Sequence, residues 1–395
     1  MLEFCYVMLL ITFIGVVINL TQRFLVWRYV KNKPELVLEE QPPISILKPL
    51  AGIDEDLWDN LENFATGIDY DNYEIVLGVK NMKDPAWPVA QKALETWPER
   101  FRLVIQRGEP GLNPKVNQLI TLEKNAEHDI LVISDSNVKV DPHYLKEIAF
   151  HLQDENVGLV THPVTGWGME SLGSDIENLH MTIGIANGMI AAKEISEKIF
   201  AVGKSMAMHR KDVEALGGFE AYVNVLAEDF CIGRAIGDKL NKEVVMAHNP
   251  IWNVTRNRSI GDFIQRFKRW SVMQRKAVGS LTQFSQVLMN ISLLSFIAMA
   301  VYPVWWSAAV FFGIVVFKSF VDLGAMRQFN PKAPALRTML QSPLKDLLWA
   351  YTWAYGMVSN HVNWRGNILR IGEGTALSLP KGMEHPSESK QTDAA

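Results

Sequence analysis

The sequence predicts an α/β protein in which a mainly parallel, three-layer sheet domain lies between apolar segments that enter a membrane. Three observations carry that reading. Short β-branched runs alternate with helix-forming stretches over residues 44–161. Prolines stand where several of those helices would begin. Long apolar blocks occupy the start of the chain and the region after residue 286.

Residues 44–47, 73–79, 102–106, 130–133 and 158–161 read as strands, and helical stretches at 55–64, 85–97, 114–125 and 142–152 follow the first four. Pro85, Pro114 and Pro142 mark the expected helix starts, where a missing N–H is tolerated. Such βαβ alternation argues for a parallel sheet covered by helices. Ligands in sheets of this kind bind beyond the carboxyl ends of the strands.

The chain has 395 residues, 48% of them hydrophobic and 21% charged, which suits a water-facing domain joined to apolar spans. A net charge of −4 gives no global electrostatic support for a nucleic-acid partner. Cys5 and Cys231 are the two cysteines; neither a disulfide nor a cysteine-based metal site is expected. Residues 4–20 are apolar except for Thr12 and Asn19, barely enough to span a bilayer. Glu3 precedes this run and Arg23, Arg28, Lys31 and Lys33 follow it, so the downstream side is expected in the cytoplasm. The basic start and small-residue cleavage site of a signal peptide are missing, which makes the segment a retained anchor. A second block, 287–317, is interrupted at Tyr302-Pro303 and reads as a tight hairpin of two spans. A third, 347–358, has Lys345 and Arg365 on its flanks and fits a tilted span, a re-entrant segment or an interfacial helix. The tail after Pro380 has a disordered composition.

Carboxylates fall at the strand ends. Asp84 follows the second strand; before Pro85 its bland reading is a helix cap. Asp135 is delivered by the apolar run Ile-Leu-Val-Ile-Ser to a strand tip, where a carboxylate suits a hard divalent cation bridging a diphosphate. Glu228 and Asp229 are flanked by Leu226, Ala227, Phe230 and Ile232, so at least one is expected to be partly buried. Burial raises a carboxyl pKa and suits a general base. Arg266-Phe-Lys-Arg269-Trp270 lies in a basic helix whose Phe263, Phe267, Trp270 and Val278 share one face, expected to rest in the headgroup layer.

Taken in this order, these residues resemble the ceramide glucosyltransferases, glycosyltransferase family 21 of the inverting GT-A fold. The family's Asp…Asp…Asp and (Gln/Arg)-x-x-Arg-Trp pattern falls on Asp84, Asp135, Asp229 and Arg266-x-x-Arg269-Trp270. Ile-Leu-Lys-Pro-Leu at the first strand, Gly-Leu-Asn-Pro-Lys115-Val-Asn117, Arg-Lys-Asp-Val before Gly-Gly-Phe, and Asn-Trp364-Arg365 extend the likeness over residues 42–375. The resemblance implies that Asp84 contacts uridine, Lys115 the nucleotide, and Asp135 the diphosphate with a divalent metal, Mn²⁺ or Mg²⁺. Asp229 is the implied base, while Arg269 and Trp270 close over diphosphate and acceptor, and Arg266 of the same motif binds the donor. Two departures stand out. Asp135-Ser-Asn137 replaces Asp-x-Asp, leaving fewer carboxylates for a metal, and residues 177–195 match the family poorly. His180, in that stretch, reads as a packing or surface histidine before a substrate-facing one.

The implied organisation is an anchor at 1–22, a basic linker at 23–41, the GT-A domain at 42–258, an interfacial segment at 259–283, membrane segments at 284–361 and a tail at 362–395. The implied activity is transfer of a hexose, glucose first, from a UDP-sugar to the primary hydroxyl of ceramide with inversion. It would take place at the cytoplasmic face of a membrane, with a bacterial inner membrane favoured and no nucleic-acid partner. The nearest alternative is a hopanoid or other polyisoprenoid-lipid glycosyltransferase. A processive polysaccharide synthase would need more spans than these blocks supply, and a catalytically dead sensor has no need of the whole charged set.

Overall fold

The computed structural model describes residues 1–38, 40–196, 199–364 and 367–379. The tail after Pro380 and Arg365 lie outside these residues. The chain forms two compact units. Among the described residues, one comprises 1–33, 165–196 and 255–364, and the other comprises the rest.

The first unit is helical. Its opening helix, Leu2–Lys31, is 30 residues long, well beyond the apolar run that announces it. By length and composition, Leu2–Lys31 and Trp305–Phe329 qualify as membrane spans among the described residues. The pair Ser280–Met289 and Ile291–Val301 would be a third if it is one bent span. The protein is therefore a membrane protein. The break at Tyr302-Pro303 falls where expected, but the first arm of the hairpin is not straight, since its two parts meet at 77°. Asn290 causes the restart: its side chain accepts from the Leu293 N–H at 3.0 Å and donates to the Asp346 carbonyl at 2.9 Å. An asparagine that caps the next helix in this way competes with continuation of the previous one. The 347–358 block belongs to a longer helix, Ala335–Val358, which also carries buried Lys345 and Asp346.

The second unit holds the sheet. Its strands are β1 (Ile44–Pro49), β2 (Tyr73–Val79), β3 (Phe101–Ile105), β4 (Ile130–Ser134), β5 (Val138–Lys139) and β6 (Val157–Thr161). β7 (Val164–Trp167) starts at the boundary of the units, and β8 (Ser205–His209), β9 (Glu243–Met246) and β10 (Ile251–Val254) follow. Seven form one sheet in the order β3-β2-β1-β4-β8-β6-β9. β1 pairs in parallel with β2 and β4, and β2 with β3, as the alternation predicts. All seven residues of β2 are buried, as expected of an inner strand covered on both faces. At the edge, β3 carries the half-exposed Arg102, which pairs with Glu74 and Glu127 and blunts the open ladder. β8 runs antiparallel to both neighbours and has no forecast in the sequence reading. Ser-Met-Ala-Met-His lacks the β-branched residues that mark strands. This sheet, covered by helices and mainly parallel, is the α/β class that the sequence predicts.

The helices that follow the first strands are Leu57–Thr66, Trp87–Thr96, Pro114–Asn125 and Tyr144–Leu152, within a few residues of expectation. Pro114 opens its helix; Pro85 and Pro142 lie two residues ahead of theirs, in the preceding turns. Leu47, Val76, Leu119, Leu131, Ile133, Met206, Phe219 and Ile236 belong to one buried cluster joining sheet and helices. Cys5 and Cys231 are free thiols.

Gly111 allows the loop before Pro114 to pack on residue 223. A Cβ there would lie 2.4 Å from the Val223 carbonyl oxygen and 2.6 Å from its carbon, both backbone atoms. Asn117 clamps the same glycine, donating to its carbonyl at 2.8 Å and accepting from its N–H at 3.2 Å. Gly111→Ala is therefore expected to cost roughly 1–3 kcal/mol through overpacking. A thermal melt of the purified protein in detergent checks this, and an unchanged midpoint would contradict it.

Candidate active site

The site grows from the carboxyl ends of β1 and β4. Asp135 follows β4 directly, and its carboxylate takes the Lys115 ammonium at 2.9 Å on one oxygen and Lys204 at 3.3 Å on the other. Lys115 comes from the first turn of the Pro114–Asn125 helix, whose entry is fixed by Asn113. The Asn113 side-chain oxygen caps the helix by accepting from the N–H groups of Lys115 (3.0 Å) and Val116 (3.2 Å). Its amide nitrogen donates to the Val225 carbonyl at 2.7 Å and to Glu228 at 3.0 Å. One side chain thus orients the helix bearing Lys115 and the loop leading to the acidic pair.

Glu228 and Asp229 open the Glu228–Leu240 helix, where negative charge is favoured by the helix dipole. Glu228 is buried and lies 3.4 Å from the Lys115 ammonium. Asp229 is partly exposed and accepts from the N–H groups of Gly203 (2.6 Å) and Phe230 (2.8 Å). Lys115 also donates to the Gly203 carbonyl at 2.6 Å. Leu226 and Ala227, just ahead of the pair, are braced by Thr375 through its carbonyl (3.0 Å) and hydroxyl (3.2 Å).

The charges tune one another. Burial alone would push the Asp135 carboxyl up, but Lys115 and Lys204 outweigh it and hold the group far below the usual range. Burial raises Glu228 to about 7 and also raises Asp229, with Lys115 opposing both shifts. These neighbours titrate as a pair. Lys48 lies fully buried beneath, donating to the Asp135 carbonyl (2.8 Å) and the Ser134 hydroxyl (3.1 Å), with its ammonium 3.7 Å from the centre of the Phe64 ring. Burial draws Lys48 down to about 7 against the pull of Asp135.

Of the sequence-predicted residues, Lys115, Asp135 and Asp229 thus converge. Asp84 makes different contacts: it accepts from the N–H groups of Gly52 and Ala86, each at 2.9 Å, tying the loop after β1 to the turn after β2. Asp84 is not the helix cap of the bland reading: the Trp87–Thr96 helix has Ala86 at its N-cap and no side-chain cap bond, and Asp84 braces the turn ahead of it. Arg266, Arg269 and Trp270 belong to the other unit, on the helix Ile260–Val278. There Arg266 forms an ion pair with buried Glu177, Arg269 lies 5.8 Å from the Trp364 ring centre, and Trp270 stands edge-on to Phe267. Phe263 and Phe267 are buried within the protein, so the face expected in the headgroup layer is covered at these positions. His180 is their partner, with ring centres 4.5 Å from Phe267 and 6.1 Å from Phe263, and burial keeps its imidazole pKa well below its ordinary value. It packs, as the sequence reading held.

Lys48, Lys204 and the capping role of Asn113 escape sequence reading. Lys48 follows an apolar run in Ile-Leu-Lys-Pro, and a lysine set against such a run was the available signal.

A divalent ion at Asp135, as the sequence implies, would have to share a carboxylate that is already engaged. Both carboxylate oxygens already hold ammonium groups, and Asn137, the next oxygen ligand along the motif, accepts from Lys204 at 2.9 Å. This donor set does not fit a dication as it stands. Two other groups, Glu147-His151-His248 and Glu74-Glu127-His128, bring ligand atoms within 4.8 Å of one another and have the spacing to hold a metal. Neither contains a residue singled out from sequence.

A helix-covered, mainly parallel sheet with a charged cluster at its carboxyl edge suits a ligand-binding enzyme of the class the family match defines, the sugar-nucleotide-dependent glycosyltransferases. Glycosyl transferase family 21 matches residues 7–377, and the chain belongs to that family. Among curated proteins it is 23% identical to ceramide glucosyltransferase 3 of Caenorhabditis elegans over 351 residues, covering 86% of this chain and 75% of that one. It is 20% identical to the ceramide glucosyltransferase of Gibberella zeae, over 92% of this chain and 91% of that one. Among solved structures it is similar to the mannosyltransferase PcManGT of Pyrobaculum calidifontis in complex with GDP-Man and Mn²⁺. That similarity has a TM-score of 0.48 at 17% identity and covers 88% of this chain and 99% of that one.

Asn113→Ala removes the helix cap and the amide that meets Glu228. A loss of roughly 1–2 kcal/mol is expected, at the upper end for a cap because a buried carboxylate also loses its donor. Detergent melts of the variant beside wild type would show it; equal midpoints would mean that water replaces both bonds.

Proposed function

We propose that this enzyme transfers a hexose, glucose in the first instance, from a UDP-sugar to the primary hydroxyl of ceramide, giving a β-glycosylceramide. The observation that supports this best is the Asp229 carboxylate, raised in pKa and partly exposed, beside a cluster of ammonium groups. Asp229 takes the proton from the acceptor hydroxyl as that oxygen attacks the anomeric carbon. The bond to UDP breaks on the opposite face, and its electron pair leaves with the diphosphate. Cations placed in advance near that leaving group lower the barrier without reorganising, usually a large catalytic contribution. A single base suffices for inversion, unlike the two carboxylates of most glycosidases. Asp84, at the junction of two loops, takes the uridine in this reading, and Lys115 and Asp135 the diphosphate. Arg269 and Trp270 keep the closing role, and Arg266 the donor-binding role, that the family resemblance implies.

Ceramide as acceptor is supported by the names of the relatives and by the apolar helices, which suit a substrate drawn from a bilayer. Basic residues after the first span support a cytoplasmic side for the sheet domain, within 42–258, and the reading sets it at a bacterial inner membrane. A hopanoid or other polyisoprenoid alcohol is the alternative acceptor. Mass spectrometry of products from UDP-glucose, UDP-galactose, UDP-glucuronate and UDP-N-acetylglucosamine, each with ceramide and with a polyisoprenoid lipid in liposomes, separates them. Glucosylceramide as the main product is expected; a glycosylated polyisoprenoid with ceramide untouched would reject the reading.

Asp229→Asn is expected to abolish transfer while leaving UDP affinity nearly intact. In the wild type, the base must be unprotonated and its pair is raised by burial. Turnover should therefore fall with decreasing pH from a point above the ordinary carboxylate range, since burial raises the Asp229 carboxyl. A variant that loses UDP affinity in step with rate would make Asp229 a donor ligand instead.

A further inference from the structure

We propose that Lys204 is the fixed cation of the donor site, standing between Asp135 and Asn137 where a divalent ion would otherwise bridge them to the diphosphate. The inference rests on the reading of this site as the one that binds UDP.

The placement is set by strand register. β8 pairs antiparallel with β4, with Ser205 opposite Ser134. The residue preceding Ser205 must then lie beside the residue following Ser134, which makes Lys204 and Asp135 neighbours. The Lys204 ammonium is 3.3 Å from one Asp135 oxygen and 2.9 Å from the Asn137 side-chain oxygen. In an Asp-x-Asp motif these two side chains would share a metal. Here the second is a neutral amide, and a cation built into the chain sits between the pair.

Two further contacts make this a built arrangement. Asn137 donates its amide nitrogen to Asn253 at 3.1 Å, which turns its oxygen towards Lys204. The other Asp135 oxygen is taken by Lys115 at 2.9 Å, so the carboxylate is claimed from both sides. Lys204 is itself 7% exposed, and a buried ammonium persists only where partners hold it. A dication at Asp135 would meet two ammonium groups within hydrogen-bond range of the same carboxylate. Two lysines held by one aspartate instead offer the diphosphate fixed positive charge, which binds phosphate oxygens through charge-assisted hydrogen bonds. Asp135 then acts on the donor by positioning the lysines.

The test measures UDP binding to the full chain in detergent by calorimetry, in EDTA and in Mn²⁺, for wild type, Lys204→Ala and Lys204→Arg. Wild-type affinity should change by less than about threefold between the two conditions, because the cations that hold the phosphates are covalent. Lys204→Ala should bind about tenfold or more weakly in EDTA and recover in Mn²⁺, since the vacated place between Asp135 and Asn137 now admits the ion. Lys204→Arg, which keeps the charge, should bind in EDTA and serves as the folding control. Loss of wild-type UDP binding in EDTA with recovery in Mn²⁺ would overturn the inference while leaving the functional reading standing. So would a Lys204→Ala protein that binds UDP in EDTA as wild type does. No UDP binding by wild type in either condition would overturn both.

Discussion

The ion pair between Lys115 and Asp135 is the constraint on which the rest of the site depends. Asp135, Glu228 and Asp229 meet Lys48, Lys115 and Lys204 at the carboxyl edge of one sheet, and most of these groups have little access to water. Charges withdrawn from water are costly unless each finds a partner. Lys115 satisfies that condition for both sides, reaching Asp135 at 2.9 Å, Glu228 at 3.4 Å and the Gly203 carbonyl at 2.6 Å. Moving an element that carries one of these groups would cost its partners a contact that offsets their burial, so the fold and the site fix each other.

That dependence explains why ordinary structural devices cluster here. Asn113 caps a helix, as asparagine does in many proteins, yet the same side chain sets the height of Lys115 and holds Glu228. Gly111 is small because the backbone at 223 must come close, and that closeness carries the loop running on towards Glu228. The Thr375 brace on Leu226 and Ala227 works at the same junction. Each contact is modest alone, about 1 kcal/mol for a net hydrogen bond. Their common effect is to remove alternative positions for two charged residues.

The legible part of the fold followed from periodicity. Strands β1 to β4 and the helices after them carry strong apolar patterns, and the structure forms them within a few residues of expectation. β8 was illegible because Ser-Met-Ala-Met-His has little strand propensity and takes its conformation from the neighbours it pairs with. Missing that strand also hid Lys204, since only its antiparallel register brings residue 204 beside residue 135. The bend at Asn290 was hidden for a related reason: an apolar run shows that a helix is buried, and one capping side chain decides where it restarts. Asp135 and Asp229 could be read because acidic residues were set among apolar ones. Lys48 could have been found by the same rule applied to the opposite sign.

The acidic pair shows how two neighbouring carboxylates acquire different tasks from their surroundings. Glu228 is buried, bonded to Asn113 and close to Lys115, so its movement is restricted from two sides. Asp229 accepts from two backbone N–H groups and keeps an open side. Burial raises the cost of ionising both, the Asp229 charge adds to it at Glu228 and the Asp135 charge at Asp229, and Lys115 offsets part of that cost. Near neutral pH the pair therefore lies close to a change of proton count. In the proposed reaction, the outward carboxylate receives the acceptor proton while the buried one keeps Lys115 aimed at the diphosphate. Loss of Glu228 would then misplace the cation, and loss of Asp229 would remove the base, although both residues open the same helix. The division comes from which residue faces inward at the first turn of the Glu228–Leu240 helix, and that is set by the loop Asn113 and Thr375 hold in place.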